Sequence, residues 1–120
     1  MNQTLAELST EDHRILAAAM LLAADSPLFP DRNFRTLFGV EREELRYTAN
    51  NWPHVDLTSQ NVHCAVLNSL NHLVGYPHGQ EDTVREILGV DGSALIALYR
   101  RIAPMLGRRG DGEGYASFLV

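Results

Sequence analysis

The chain has no lysine: all ten basic side chains among its 120 residues are arginine. That absence points to a GC-rich, bacterial coding sequence more than to any mechanism. There is one cysteine, Cys64, so no internal disulfide can form, and a reducing cytoplasm is the expected setting. An excess of basic charge is also missing. The net charge is -5, which disfavours nucleic acid as a partner, because a basic surface supplies most of that binding. The longest apolar run, residues 15–24, is about half a membrane span and half alanine, and reads as a packed helix, so no membrane association is expected. Residues 1–11 lack a basic stretch followed by an apolar one, and no signal peptide is expected.

The most local absence is the most informative. Residues 57–80 (LTSQNVHCAVLNSLNHLVGYPHGQ) contain no Asp, Glu, Lys or Arg, although charge is frequent elsewhere. A helix uncharged on both sides is one that the rest of the protein encloses. Leu57 and Val62 bracket Thr58 as a hydrophobic staple around an N-cap. Gly75 stands where a left-handed C-terminal cap belongs, with Pro77 beyond it. At about 100° per residue, Val62, Val66, Leu67, Leu70, Leu73 and Val74 share one broad arc that includes His63. Asn61, Cys64, Asn68, Asn71 and His72 take the other side.

The remaining chain also reads as helices. Ser9 caps a first helix that runs to about Ala24 and stops before Pro27, with Asp12 as the acidic half of a capping box. Asp31 caps a short helix ending at Phe38, with Phe34, Leu37 and Phe38 inward, and Gly39 closes it. Glu41 is the N-cap of a third helix, which Pro53 ends. After the neutral helix comes a short one over 81–88, with Val84, Ile87 and Leu88 inward and Gly89 as its stop. Asp91 opens the last helix, which runs to Leu106. The sequence GRRGDGEG over 107–114 predicts a flexible loop, and YASFLV over 115–120 a short extended tail. The expected fold is all-α: a single domain over residues 1–120, of five or six helices around the uncharged one.

Residues 34–45 and 84–95 resemble each other at an offset of fifty, with Arg35/Arg85, Gly39/Gly89, Val40/Val90 and Leu45/Leu95 identical. Each segment spells a helix, a left-handed glycine, a valine packing both ways, an acidic cap and a stapling leucine. Duplication and convergence on sound turn chemistry both account for it.

The helix–turn–helix pattern invites a DNA-binding reading. However, Glu41, Glu43 and Glu44 at the start of the second helix of the first unit would face phosphates, and Asp91, Gly92 and Ser93 offer little to read a base. Five histidines (His13, His54, His63, His72 and His78) raise metal binding, but none are four apart and there is no Cys-x-x-Cys, so no metal or other cofactor is expected. His63 and Cys64 are helix neighbours about 100° apart and cannot act as a catalytic pair. No catalytic residues are assigned, and an enzyme is not expected. Asn61, Asn68, Asn71 and His72 form either internal hydrogen bonds or the wall of a small polar pocket, since amides are costly to bury unpaired. Glu41, Glu43, Glu44, Trp52, Tyr76 and His78 are the candidate partner-contact residues. The leading expectation is a small cytoplasmic protein that binds another protein, of the kind that neutralises a basic toxin, as immunity proteins and antitoxins do. A helix–turn–helix regulator and a small-molecule or metal sensor are the alternatives.

Overall fold

A computed structural model describes residues 4–106, and the predicted loop and tail at 107–120 lie outside them. Among the described residues there are six α-helices and no strand. They are α1 (Thr10–Asp25), α2 (Asp31–Phe38), α3 (Arg42–Asn51), α4 (Gln60–Gly75), α5 (Glu81–Leu88) and α6 (Gly92–Ile102). Short 3-10 turns precede α1 at Leu5–Glu7 and follow α6 at Ala103–Leu106. The expected last helix is therefore α-helical only to Ile102. No helix among the described residues is long and apolar enough to cross a membrane.

The uncharged helix is central. α4 packs against each of the other five helices, and Val66, Ser69, Leu70 and Leu73 on it are almost wholly buried. Its ends differ from the sequence reading. The N-cap is Ser59, not Thr58; the Ser59 hydroxyl faces the Val62 amide. Thr58 instead bonds back to the Asp56 carboxylate through its hydroxyl and its amide, which spends its capping group one residue too early. Gly75 is the last helical residue rather than a left-handed cap. The chain leaves through Tyr76 in an extended conformation, so the stop comes from Pro77, whose ring keeps the residue before it out of the helical region. Asp31 likewise is the first residue of α2, and Pro30 occupies the cap.

The offset of fifty extends to the whole architecture. α1 and α4 both have 16 residues, α2 and α5 both have 8, and α3 and α6 have 10 and 11; each pair starts fifty residues apart. The caps also match: Ser9 with Ser59, and Gly39 with Gly89 at φ +76° and +74°. Packing between the units is reciprocal. α2 lies on α4, α5 lies on α1, and α1 meets α4 along the central seam, which is the exchange of contacts an approximate twofold requires. A Cβ at Gly39 would lie 3.3 Å from Cys64, and one at Gly89 would lie 3.8 Å from Arg14, the residue fifty positions before Cys64. The last carbonyls before these glycines are also capped from the opposite unit. Asn68 donates to Phe38 O at 2.8 Å, and Arg14 donates to Leu88 O at 3.0 Å.

Candidate interaction surfaces

Beyond its first turn, the amide side of α4 is spent on hydrogen bonds inside the fold. The Asn68 side chain and His72 Nε2 donate to Phe38 O and Leu37 O, the latter at 2.6 Å. These are the carbonyls that the end of α2 leaves without helical partners. His72 is 6% exposed, and burial holds its imidazole below the ordinary histidine range, against the opposing pull of the Leu37 carbonyl. Asn71 is buried as well. Asn61 is exposed and donates to the Glu44 carboxylate at 2.9 Å. The four residues grouped by sequence therefore divide: Asn68, Asn71 and His72 lie in the helix junctions, and Asn61 lies on the α3 side.

The six contact candidates divide too. Trp52 is 9% exposed, and its indole N–H donates to His13 Nδ1 at 3.0 Å, so the lone tryptophan ties the end of α3 to α1. His78 Nε2 donates to Leu73 O, and its Nδ1 accepts from the Gln80 amide, which fixes the ring at the turn after α4. Tyr76 is half-buried against Phe29, with ring centroids 5.1 Å apart. Glu41 is paired with Arg35. Of the six, Glu43 and Glu44 are the exposed carboxylates with no ion pair among the described residues. Arg42 and Arg46, on the same helix, turn inward. Arg42 donates to Ala24 O and Phe29 O and pairs with Asp31, while Arg46 pairs with Asp25. Together they cap the C-terminal carbonyls of α1, where positive charge is favoured.

That inward turn leaves a further contact candidate, which sequence reasoning missed. Tyr47 is 64% exposed, one turn after Glu43 and Glu44, so the three share the outer face of α3. Helical spacing from Glu43 could have found it. Elsewhere Arg14 pairs with Glu11, Arg85 with Asp82, and Arg101 with Asp12, while Arg32 and Arg100 form no ion pair among the described residues. Among the described residues no continuous stripe of free arginine exists.

A second surface feature lies where α5 meets α1. Ile87, expected inward, is 52% exposed. It stands at the edge of a cleft of about 470 Å³ lined also by Leu22, Ser26, Leu28, His78 and Thr83. An adjoining hollow adds Ala18 and Leu21. A third cleft, over Leu5, Leu57, His63 and Met105, lies beside Leu106, the last described residue.

Among the described residues no three His, Cys, Asp or Glu side chains converge as metal ligands would. Cys64 is half-buried against the Gly39 turn, and His63 Nε2 donates elsewhere, to Leu57 O. Comparison with known proteins brings no further information: no family model, no curated protein and no solved structure matches the chain.

Proposed function

We propose that this protein acts by contact with another protein, through the outer face of α3, and that the partner is basic. The carrying observation is the placement of Tyr47, 64% exposed, beside Glu43 and Glu44. A large amphipathic ring held on a helix, flanked by carboxylates that no arginine neutralises, combines a contact anchor with a field that attracts positive charge. The inward turn of Arg42 and Arg46 supports this, because it takes the positive charge of α3 to the end of α1 and leaves Glu43 and Glu44 to set the potential of the outer face. Within this class we favour a cytoplasmic, bacterial neutraliser of a basic, nucleic-acid-handling toxin. The single cysteine and the acidic balance are what support that finer reading. A helix–turn–helix regulator draws less support, since the first turn of α3 presents Glu43 and Glu44 where phosphates would lie.

The test is capture by the immobilised full-length protein from a lysate of the source organism, repeated with Tyr47→Ala and with the double variant Glu43→Gln, Glu44→Gln. A specific partner should be retained by the parent chain and weakened about tenfold by either variant. Its retention should also fall with added salt. A set of bound proteins unchanged by both variants overturns the reading.

A further inference from the structure

The approximate twofold allows each junction between the units to be compared with its counterpart. The junction of α2 with α4 is closed by an aromatic ring. Phe29, in the connection between α1 and α2, is 2% exposed and sits edge-on to His72, Tyr76 and His78, with centroids 5.1–6.3 Å away. Shifted by fifty positions, those three partners are Leu22, Ser26 and Leu28. All three line the open cleft between α1 and α5. The residue fifty positions after Phe29 is Gly79, and a Cβ built there would meet nothing within 4 Å. The cleft is thus the seat of the ring without the ring. Its walls are prepared as the closed junction's are. Leu22 is 8% exposed, His78 is fixed by hydrogen bonds at both nitrogens, and Ile87 occupies the place of half-buried Leu37. The Ser26 hydroxyl on the same wall is buried and has no hydrogen-bond partner among the described residues.

The surroundings indicate what that is. α5 carries Glu81, Asp82 and Glu86 against one arginine, and that arginine is already paired with Asp82. Glu81 and Glu86 are exposed. We infer that the cleft between α1 and α5 binds an aromatic side chain of a partner polypeptide whose neighbouring residues are basic. The volume falls in the range of clefts that hold small ligands, and an aromatic ring buries large area in an apolar seat. The assignment rests on the chain acting by protein contact. It names a second contact surface, formed by α1 and α5 and separate from the face of α3.

The test uses the full chain and a defined probe, the peptide acetyl-Arg-Ser-Phe-Ser-Arg-amide, followed by NMR of the leucine and isoleucine methyl groups. Saturable shifts are expected at Leu22, Leu28 and Ile87. Replacing the peptide's Phe by Ala should weaken binding at least tenfold, and replacing both Arg by Glu should weaken it severalfold. On the protein side, Ile87→Asn, at an exposed position, should weaken the parent peptide about tenfold, while Tyr47→Ala should leave it unchanged. Shifts elsewhere, none at all, or equal affinity for the Phe and Ala peptides would overturn the assignment. So would contacts in the free protein between the Ile87 methyls and the rings of Tyr115 or Phe118, or a concentration-dependent dimer abolished by Ile87→Asn, because the seat would then belong to this chain itself. If the cleft fails in these ways while the Tyr47 variant still loses its partner, the protein-contact reading stands and only the second surface falls.

Discussion

The two three-helix units follow one backbone plan, yet they finish it differently. In the first, Phe29 fills the junction of α2 with α4, and Arg42 ties the start of α3 to Ala24 O and Phe29 O. In the second, Gly79 and Gly92 occupy the matching positions, so neither the ring nor the clamp exists, and the junction of α5 with α1 stays open. The lesson is that a shared arrangement of helices does not decide which seams become core. Two connecting residues per unit do, and they set the balance between stability and accessible surface.

The largest expected effect tests that difference directly. Phe29→Ala should destabilise the protein by about 3–5 kcal/mol, as removal of a buried aromatic does, read from the urea midpoint at constant slope. Gly79→Ala introduces no contact and only the strain of a left-handed residue, about 1–2 kcal/mol. Equal losses from the two would break the comparison.

The left-handed turns offer a second contrast. Gly39→Ala and Gly89→Ala both incur that strain. At Gly39 the new methyl also meets Cys64 at 3.3 Å, with Cβ as well as Sγ in the way, whereas at Gly89 it meets the movable end of Arg14. Gly39→Ala should therefore be the costlier by about 1 kcal/mol, again by denaturant titration.

A pH effect distinguishes His72 from its counterpart Leu22. Burial lowers the His72 pKa in the folded state, so the folded protein favours the neutral ring. Its contribution is complete above the unfolded value, about 6.5, and is lost as the pH falls from there toward the folded value. The denaturation midpoint should drop over that window. His72→Leu, which copies the first unit, should flatten this part of the profile.

The smallest effect concerns the Asp12–Arg101 pair, which links α1 to α6 by two 3.0 Å bonds. Its counterparts, Val62 and Asn51, form no such pair. Arg101→Ala should cost at most about 1 kcal/mol, as surface pairs do. A larger loss would make this link a third structural difference between the units.

Much of the fold was legible in the sequence because its signals are local. Gly39 and Gly89 end their helices as left-handed caps, Ser9 and Asp91 accept the expected amides, and the absence of charge over 57–80 located the central helix. Misreadings arose where two local signals competed. Thr58 and Ser59 are adjacent capping residues, and Asp56 claims the first. Gly75 and Pro77 both announce a stop, and the proline provides it. Helical spacing put Ile87 inward, as it did Leu37, because spacing fixes which side of a helix a residue is on but not whether anything covers that side. Phe29 carried no periodic signal at all. It lies in a turn between prolines, and its burial depends on α4, about forty positions away. The candidate surfaces were correspondingly less legible. Glu43 and Glu44 were found from charge alone, but the inward turn of Arg42 and Arg46, which leaves Tyr47 prominent, depends on carbonyls at the end of another helix.

The reciprocal packing of the units also bears on how the chain assembles. Neither α1 nor α4 can bury its apolar side within its own three helices, since each is covered in part by the other and by the short helix of the opposite unit. The eight residues between α3 and α4, 52–59, are then a tether between two halves that complete each other. A short tether holds its ends at an effective concentration in the millimolar range, so the encounter of the halves is governed by linker length rather than by how much protein is present. In these terms the two units relate to each other as the subunits of a dimer joined by a covalent link would.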